Sequence, residues 1–199
     1  MTKAGLITFI IGCFLFYACG GSTNSKTNQS EPTSRQKTML EEGWGFENPE
    51  NGDLPSEYGI VPIKGLFDNY FDIEIGEEFS MAMKIVEVNT NKTVRYVYVR
   101  ENTTANISEI PPGKYYLKLT FGYDWMKCDK NNEWSGKFSK AATYEMSDDV
   151  FDFGQSTFGA NSYHLKINMV HDEKYENFST TEINEEEFFN DKIIIGIEI

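Results

Sequence analysis

The chain has 199 residues, with 31 acidic against 18 basic side chains and a formal net charge of −13. That charge repels phosphate backbones and anionic headgroups, which excludes nucleic acid as a partner and any electrostatic route onto an anionic membrane. Three cysteines are too few for a disulfide framework, and an aromatic content of 15% favours strands over helices.

In chain order, Lys3 precedes the 15-residue apolar run AGLITFIIGCFLFYA from Ala4 to Ala18. A permanent transmembrane helix needs about 20 apolar residues, so this run is short for a span and matches the basic and apolar regions of a secretory signal. The following Gly, Ser, Thr and Asn cannot bury enough surface to order themselves, so residues 19–38 are expected to be a disordered tether. A Gly/Ser-type coil from Gly20 to Thr38 reaches about 25 Å. The junction Phe16-Tyr17-Ala18-Cys19 resembles the lipobox of bacterial, Bacteroidota-type lipoproteins. The resemblance implies cleavage of a signal peptide spanning 1–18, a diacylglycerol thioether on Cys19 and acylation, as with palmitate, of the new amino terminus. The first 18 residues contain Lys3 as their only charge, so the mature chain carries 17 basic and 31 acidic side chains, or −14. Two or more acyl chains give stable anchoring, so the membrane is the first expected partner. No acidic residue follows Cys19 before Glu31. In lipoproteins of this kind that pattern implies an outer-membrane protein facing the periplasm rather than the cell surface.

Residues 39–199 have the length of one domain with a sizeable core. Glu41 to Pro62 reads as an extended lead-in with turns at Asn48-Pro49 and Asn51-Gly52. Strands are predicted over Tyr70–Ile75, Phe79–Val88, Thr93–Arg100 and, less regularly, Thr103–Ile110, with a hairpin at Asn89–Lys92. Then comes IPPGKYYLKLTFGYDW, from Ile110 to Trp125. Tyr115, Leu117, Leu119, Phe121 and Tyr123 fall on one face, and Lys114, Tyr116, Lys118, Thr120 and Gly122 on the other. This alternation marks a strand with one buried and one solvated side. Pro111, Pro112 and Gly113 provide a sharp turn, in which Gly113 is free to take a positive φ. The run Ser108 to Leu119 is similar to the I-x-x-G-x-Y-x-L-x-V signature of prealbumin-like and carboxypeptidase-regulatory-type β-sandwich modules, a resemblance that implies a fold and no activity.

Further strands are predicted over Trp134–Tyr144, Val150–Phe153, Ser162–Val170 and Ile193–Ile199, with Tyr163, Leu165, Ile167 and Met169 inward. Asn184-Glu-Glu-Glu-Phe-Phe predicts one capped helical turn, with Asn184 as cap and Glu187 at its third position. The expected fold is all-β: an antiparallel β-sandwich, Ig-like or prealbumin-like, with one short helix.

The chemistry-bearing residues are sparse. His164 and His171 are an odd number of residues apart and would point to opposite faces of one strand, which is no zinc site. Asp148, Asp149 and Asp152 lack the spacing of a calcium loop. Cys128, in the charged stretch Met126 to Lys130, reads as a half-exposed thiol. No cofactor or metal is expected. Trp44, Trp125 and Trp134 lie in turn-rich contexts and Tyr116 on a polar strand face. Tyr116, Trp125 and Trp134 are therefore candidates for a ligand or partner surface, against a plainer reading in which they cap the ends of the core. Two functions remain open: a non-catalytic envelope lipoprotein that binds a protein or glycan partner or supports an assembly, and a hydrolase or glycan-processing accessory acting near Trp125 and Trp134.

Overall fold

Most of the predicted strands recur in the computed structural model, which describes residues 31–156, 159–167 and 179–190. The elements are α1 (Ser34–Glu41), β1 (Gly45–Phe46), β2 (Gly52–Asp53), a 3-10 turn (Ser56–Tyr58), β3 (Tyr70–Ile75), β4 (Ser80–Glu87), β5 (Thr93–Val99), β6 (Thr103–Ser108), β7 (Lys114–Lys130), β8 (Glu133–Ser147), β9 (Phe151–Asp152), β10 (Gln155–Ser156), β11 (Gly159–Ala160), β12 (Tyr163–Ile167), β13 (Thr180–Glu182) and α2 (Glu185–Phe189). The chain divides into two units, Met1–Glu31 and Pro32–Ile199. The body described below is the second. The predicted signal peptide, Cys19, His171 and the strand Ile193–Ile199 lie outside the described residues, as does the end of the strand predicted to Val170.

The fold is an all-β sandwich. A large antiparallel sheet has the order β13-β8-β7-β4-β5-β2, with β1 and β9 also pairing with β7. The small sheet has the order β12-β3-β6. Its β12–β3 pair is parallel, with Leu165 opposite Ile73, so the sandwich is not purely antiparallel. Between the sheets lie Phe71, Ile73, Met81, Met83, Ile85, Val97, Ile107, Tyr115, Leu117 and Leu119. The predicted inward face of β7 is thus the buried one through Leu119.

The opposite face is buried too, which corrects the expectation of a solvated side. β4 is buried from Ser80 to Val86 and β5 along its whole length. Across the outer face of the large sheet lies a second apolar cluster containing Leu54, Tyr58, Tyr96, Tyr98, Trp125, Phe138, Tyr144 and Phe188. A strand buried on both faces loses its clean alternation, and here the polar members of β7 find partners instead of water. Lys118 donates from Nζ to the carbonyls of Glu187 and Asn190, at 2.7 and 3.0 Å, and so caps the C-terminal end of α2.

β7 also runs further than the alternation suggested. A bulge against β8 between Phe121 and Tyr123, with Asp124 at φ 56°, shifts the alternation, so that Trp125 joins the outer cluster while Tyr123 is exposed. Asn131 and Asn132, at φ 59° and 65°, then close the β7–β8 hairpin tightly.

The Pro-Pro-Gly turn carries the chain from β6 in the small sheet to β7 in the large one. Its left-handed residue is Glu109, at φ 57°, and not Gly113, whose position is tight because a Cβ there would stand 2.9 Å from the Tyr115 hydroxyl. The buried Asn69 side chain bonds both the amide and the carbonyl of Ile110, and the Tyr115 hydroxyl donates to the Pro111 carbonyl. Arg95, fully buried on β5, donates to the carbonyls of Ile63, Ser108 and Glu109 and stands 3.5 Å from the Asp53 carboxylate. The fork of a guanidinium suits such multiple acceptors.

Two helices are present among the described residues. α2 has the predicted capping box between Asn184 and Glu187. α1 falls in the stretch expected to be tether. Thr33 and Gln36 form its capping box, and the buried Gln36 amide donates to Asp124 and Ser139 at 2.9 and 3.0 Å. These bonds tie α1 to the β7–β8 bulge, so the folded body begins near Pro32 and not at Met39. Among the described residues no helix is long and apolar enough to cross a membrane.

Candidate functional site

The outer cluster is open at one end. There a pocket of about 410 Å³ is walled by Trp44, Tyr58, Tyr96, Trp134 and Phe189, with Lys84, Lys137 and Glu185 among its polar groups. Four separate segments converge on it: the turn after α1, the 3-10 turn, the start of β8, and α2. The floor is sheet, from Lys84 on β4 and Tyr96 on β5.

Its volume falls within the roughly 300–1,000 Å³ of small-molecule sites, and rings with a few polar groups are their usual lining. A glycine makes room for it. A Cβ at Gly136 would stand 2.3 Å from the Trp125 ring and 2.6 Å from the Tyr58 ring, so no larger residue allows both rings to approach β8. Gly59, at φ 86°, ends the 3-10 turn in a left-handed conformation beside the same wall.

The rings are held from behind. The Tyr58 hydroxyl donates to Glu47, Glu47 pairs with Lys127 at 3.2 Å, and the Lys127 ammonium lies 3.8 Å from the centre of the Trp134 ring. Trp134 meets Tyr58 edge-on at 5.5 Å and donates from Nε1 to Asp129 at 3.1 Å. These contacts fix the Trp134 ring before any ligand arrives. Burial pushes the Tyr58 phenol well above its usual range, and its bond to Glu47 adds to the shift, so it stays a neutral donor. Tyr144, deeper in the cluster, is pushed up for the same reason, with the nearby Glu185 charge adding to it.

On the other wall the Lys137 ammonium lies 2.7 Å from Glu185 and 5.2 Å from the centre of the Trp44 ring. Arg35 of α1 stands 3.8 Å from the second Glu185 oxygen. The Lys84 ammonium, buried, lies 5.5 Å from the ring centres of Tyr96 and Phe188 and 5.9 Å from that of Phe189. A buried ammonium over three rings is electrostatically sensible, because ring faces are negative.

No family model, no curated protein and no solved structure matches this chain.

The sequence candidates separate. Trp134 lines the pocket. Trp125 does not: it is 2% exposed, packed against Tyr98 and Phe138, and its indole N–H reaches the Tyr58 hydroxyl at 3.4 Å. Trp125 supports the Tyr58 wall of the pocket and is not a surface platform. Tyr116 is half-buried elsewhere on β7, with its hydroxyl 3.3 Å from Asn91. Cys128 is buried, against the expected half exposure. His164 is exposed, 3.8 Å from Glu74. Asp148 accepts from the Ser179 and Thr181 hydroxyls at 2.6 and 2.7 Å. Among the described residues no group of three or more His, Cys, Asp or Glu is placed to hold a metal ion. Tyr58, Lys84, Tyr96, Lys137, Glu185 and Phe189 were not singled out in the sequence. The available signal was Gly136, an isolated glycine inside a strand pattern, which marks a close approach of other groups to the backbone.

Proposed function

We propose that this chain is a lipid-anchored envelope protein whose β-sandwich body is a non-catalytic binding module, with the pocket between Trp44 and Trp134 as its ligand site. The observation that carries the reading is the braced aromatic wall: Trp134 is fixed by Lys127, Asp129 and Tyr58, which is preorganisation suited to recognition. The pocket's carboxylate, Glu185, is engaged by Lys137 and Arg35, an arrangement that suits a structural acceptor better than a proton-transfer group. The anchor rests on the lipobox-like junction ending in Ala18-Cys19, and the outer membrane, periplasmic side, is the location the sequence after Cys19 favours.

The test is a ligand screen with the full-length protein, using a library of neutral sugars, sugar acids, amines and apolar compounds, read by tryptophan fluorescence. The expected outcome is saturable binding that Trp134→Ala abolishes, with the bound compound recovered unchanged. Chemical turnover of the ligand would favour the hydrolase reading instead, and no binding in any class would remove the pocket from consideration.

A further inference from the structure

We infer that the pocket takes a neutral pyranose-containing oligosaccharide, an inference that rests on the binding-site reading above and names its ligand class. The charges already present decide the sign of the ligand. A cationic group entering among the rings would meet the Lys84 and Lys137 ammoniums, which line the pocket, and Lys127 already occupies the neighbourhood of the Trp134 ring. The cation-binding capacity of this wall is thus used internally. An anionic ligand meets the opposite difficulty: the chain carries −13 overall, the positive charge of Lys137 is balanced by Glu185 at 2.7 Å, and the Lys84 ammonium is buried against the rings of Tyr96, Phe188 and Phe189. Long-range repulsion and local neutralisation both act against it.

A wholly apolar ligand fares no better. Lys137 and Glu185 keep 23% and 41% of their side-chain surface exposed. Covering that ion pair with hydrocarbon strips its water and supplies no hydrogen bond in return, which is costly. The remaining class is neutral, flat and apolar on one face, and rich in hydroxyls at the edge. A pyranose ring has that form. Its axial C–H face matches the indoles of Trp44 or Trp134, and neighbouring hydroxyls donate to Glu185 Oε1 and accept from Lys137 Nζ, replacing the water they displace. The ammonium–carboxylate pair supplies the donor and the acceptor that a vicinal diol needs, without a net charge.

The test uses the full-length protein in a polyoxyethylene ether detergent, which contains no sugar. Maltohexaose, cellohexaose, laminarihexaose and mannohexaose are titrated by calorimetry beside hexagalacturonate, tetramethylammonium and decanoate. The expected result is saturable binding of at least one neutral hexasaccharide that persists in molar salt. Trp44→Ala should weaken it about tenfold, the size of a lost stacking contact. Glu185→Gln, which keeps the side-chain shape, should weaken it as well, while both variants retain wild-type circular dichroism. Binding of hexagalacturonate, tetramethylammonium or decanoate with no neutral sugar would overturn the ligand class and leave the pocket standing. Neutral-sugar binding unchanged by both substitutions would place the site elsewhere and overturn the inference. Silence from every probe would sink the pocket reading together with it.

Discussion

At Gly136 the alternating pattern of β8 gives way to a requirement for empty space, because the Trp125 and Tyr58 rings occupy the volume of a Cβ. Gly136→Ala is expected to cost about 1–3 kcal/mol, the usual range for forcing atoms into a packed site, and to displace Tyr58 from the pocket wall. Urea melts give the first effect and ligand titration the second. A change confined to stability would mean that the rings shift without disturbing the wall. Asp148 shows the other use of single residues. The hydroxyls of Ser179 and Thr181 hold its carboxyl below the usual value. A depressed folded pKa contributes stability that is present above the unfolded pKa and lost as pH falls through the folded one. Asp148→Asn should therefore flatten the acid side of the stability profile below about pH 4, near the unperturbed Asp value, and leave the neutral side's pH slope unchanged. Thermal melts from pH 2 to 7 would show it, and an unaltered acid limb would count against the bond pattern.

At the scale of elements, the sequence was informative wherever one local rule acted alone. Period-two patterns located β7 and β12, strand-like runs bounded by turn residues located β3, β4, β5 and β8, and Asn184 with Glu187 located α2, because caps, turns and alternation are properties of a few adjacent residues. The outer aromatic layer was not legible, because it is assembled from Leu54, Tyr58, Trp125, Phe138 and Phe188, which come together only in the folded chain. Lys118 illustrates the consequence. On β7 it sits among apolar neighbours as a solvent-facing residue would, yet it is 6% exposed and bound to the end of α2. α1 was hidden for a related reason: its composition is polar, and its docking depends on Gln36 reaching Asp124 and Ser139. Leu119→Ala should cost about 2–5 kcal/mol through lost burial and a residual cavity. Lys118→Ala should also be felt, at about 1–3 kcal/mol, because two carbonyls lose a charged donor. It should expose the hydrogen-bonded amides of Glu187, Phe188 and Asn190 to hydrogen exchange and weaken ligand binding, since Glu185 and Phe189 line the pocket. Wild-type protection in α2 would show that the cap is dispensable.

For the molecule as a whole, the large sheet serves as a shared wall between two interiors, one closed by the small sheet and one covered by helices and turns. On the proposed binding role, this division leaves the inner core to stability and the outer layer to recognition. It also bears on anchoring. α1, capped at Thr33, belongs to the body, so the folded unit begins at Pro32 and takes in part of the stretch expected to be tether. Docked α1 supplies Arg35 to the Glu185 cluster, so the first helix of the body and the pocket wall share an ion pair. If Cys19 carries the lipid, Cys19→Ser should remove the anchor without touching the pocket, because the described residues that line it run from Trp44 to Phe189 and the Arg35 partner of Glu185 lies in α1. The expected outcome is a chain that leaves the detergent phase on partitioning, keeps its thermal melt and keeps its ligand affinity, while mass spectrometry of the wild-type N-terminal peptide shows acylation at Cys19. A wild-type mature terminus elsewhere and unmodified would remove the anchor from the proposal. A Cys19→Ser chain that lost ligand binding along with partitioning would show that anchoring and recognition are coupled, against the separation drawn here.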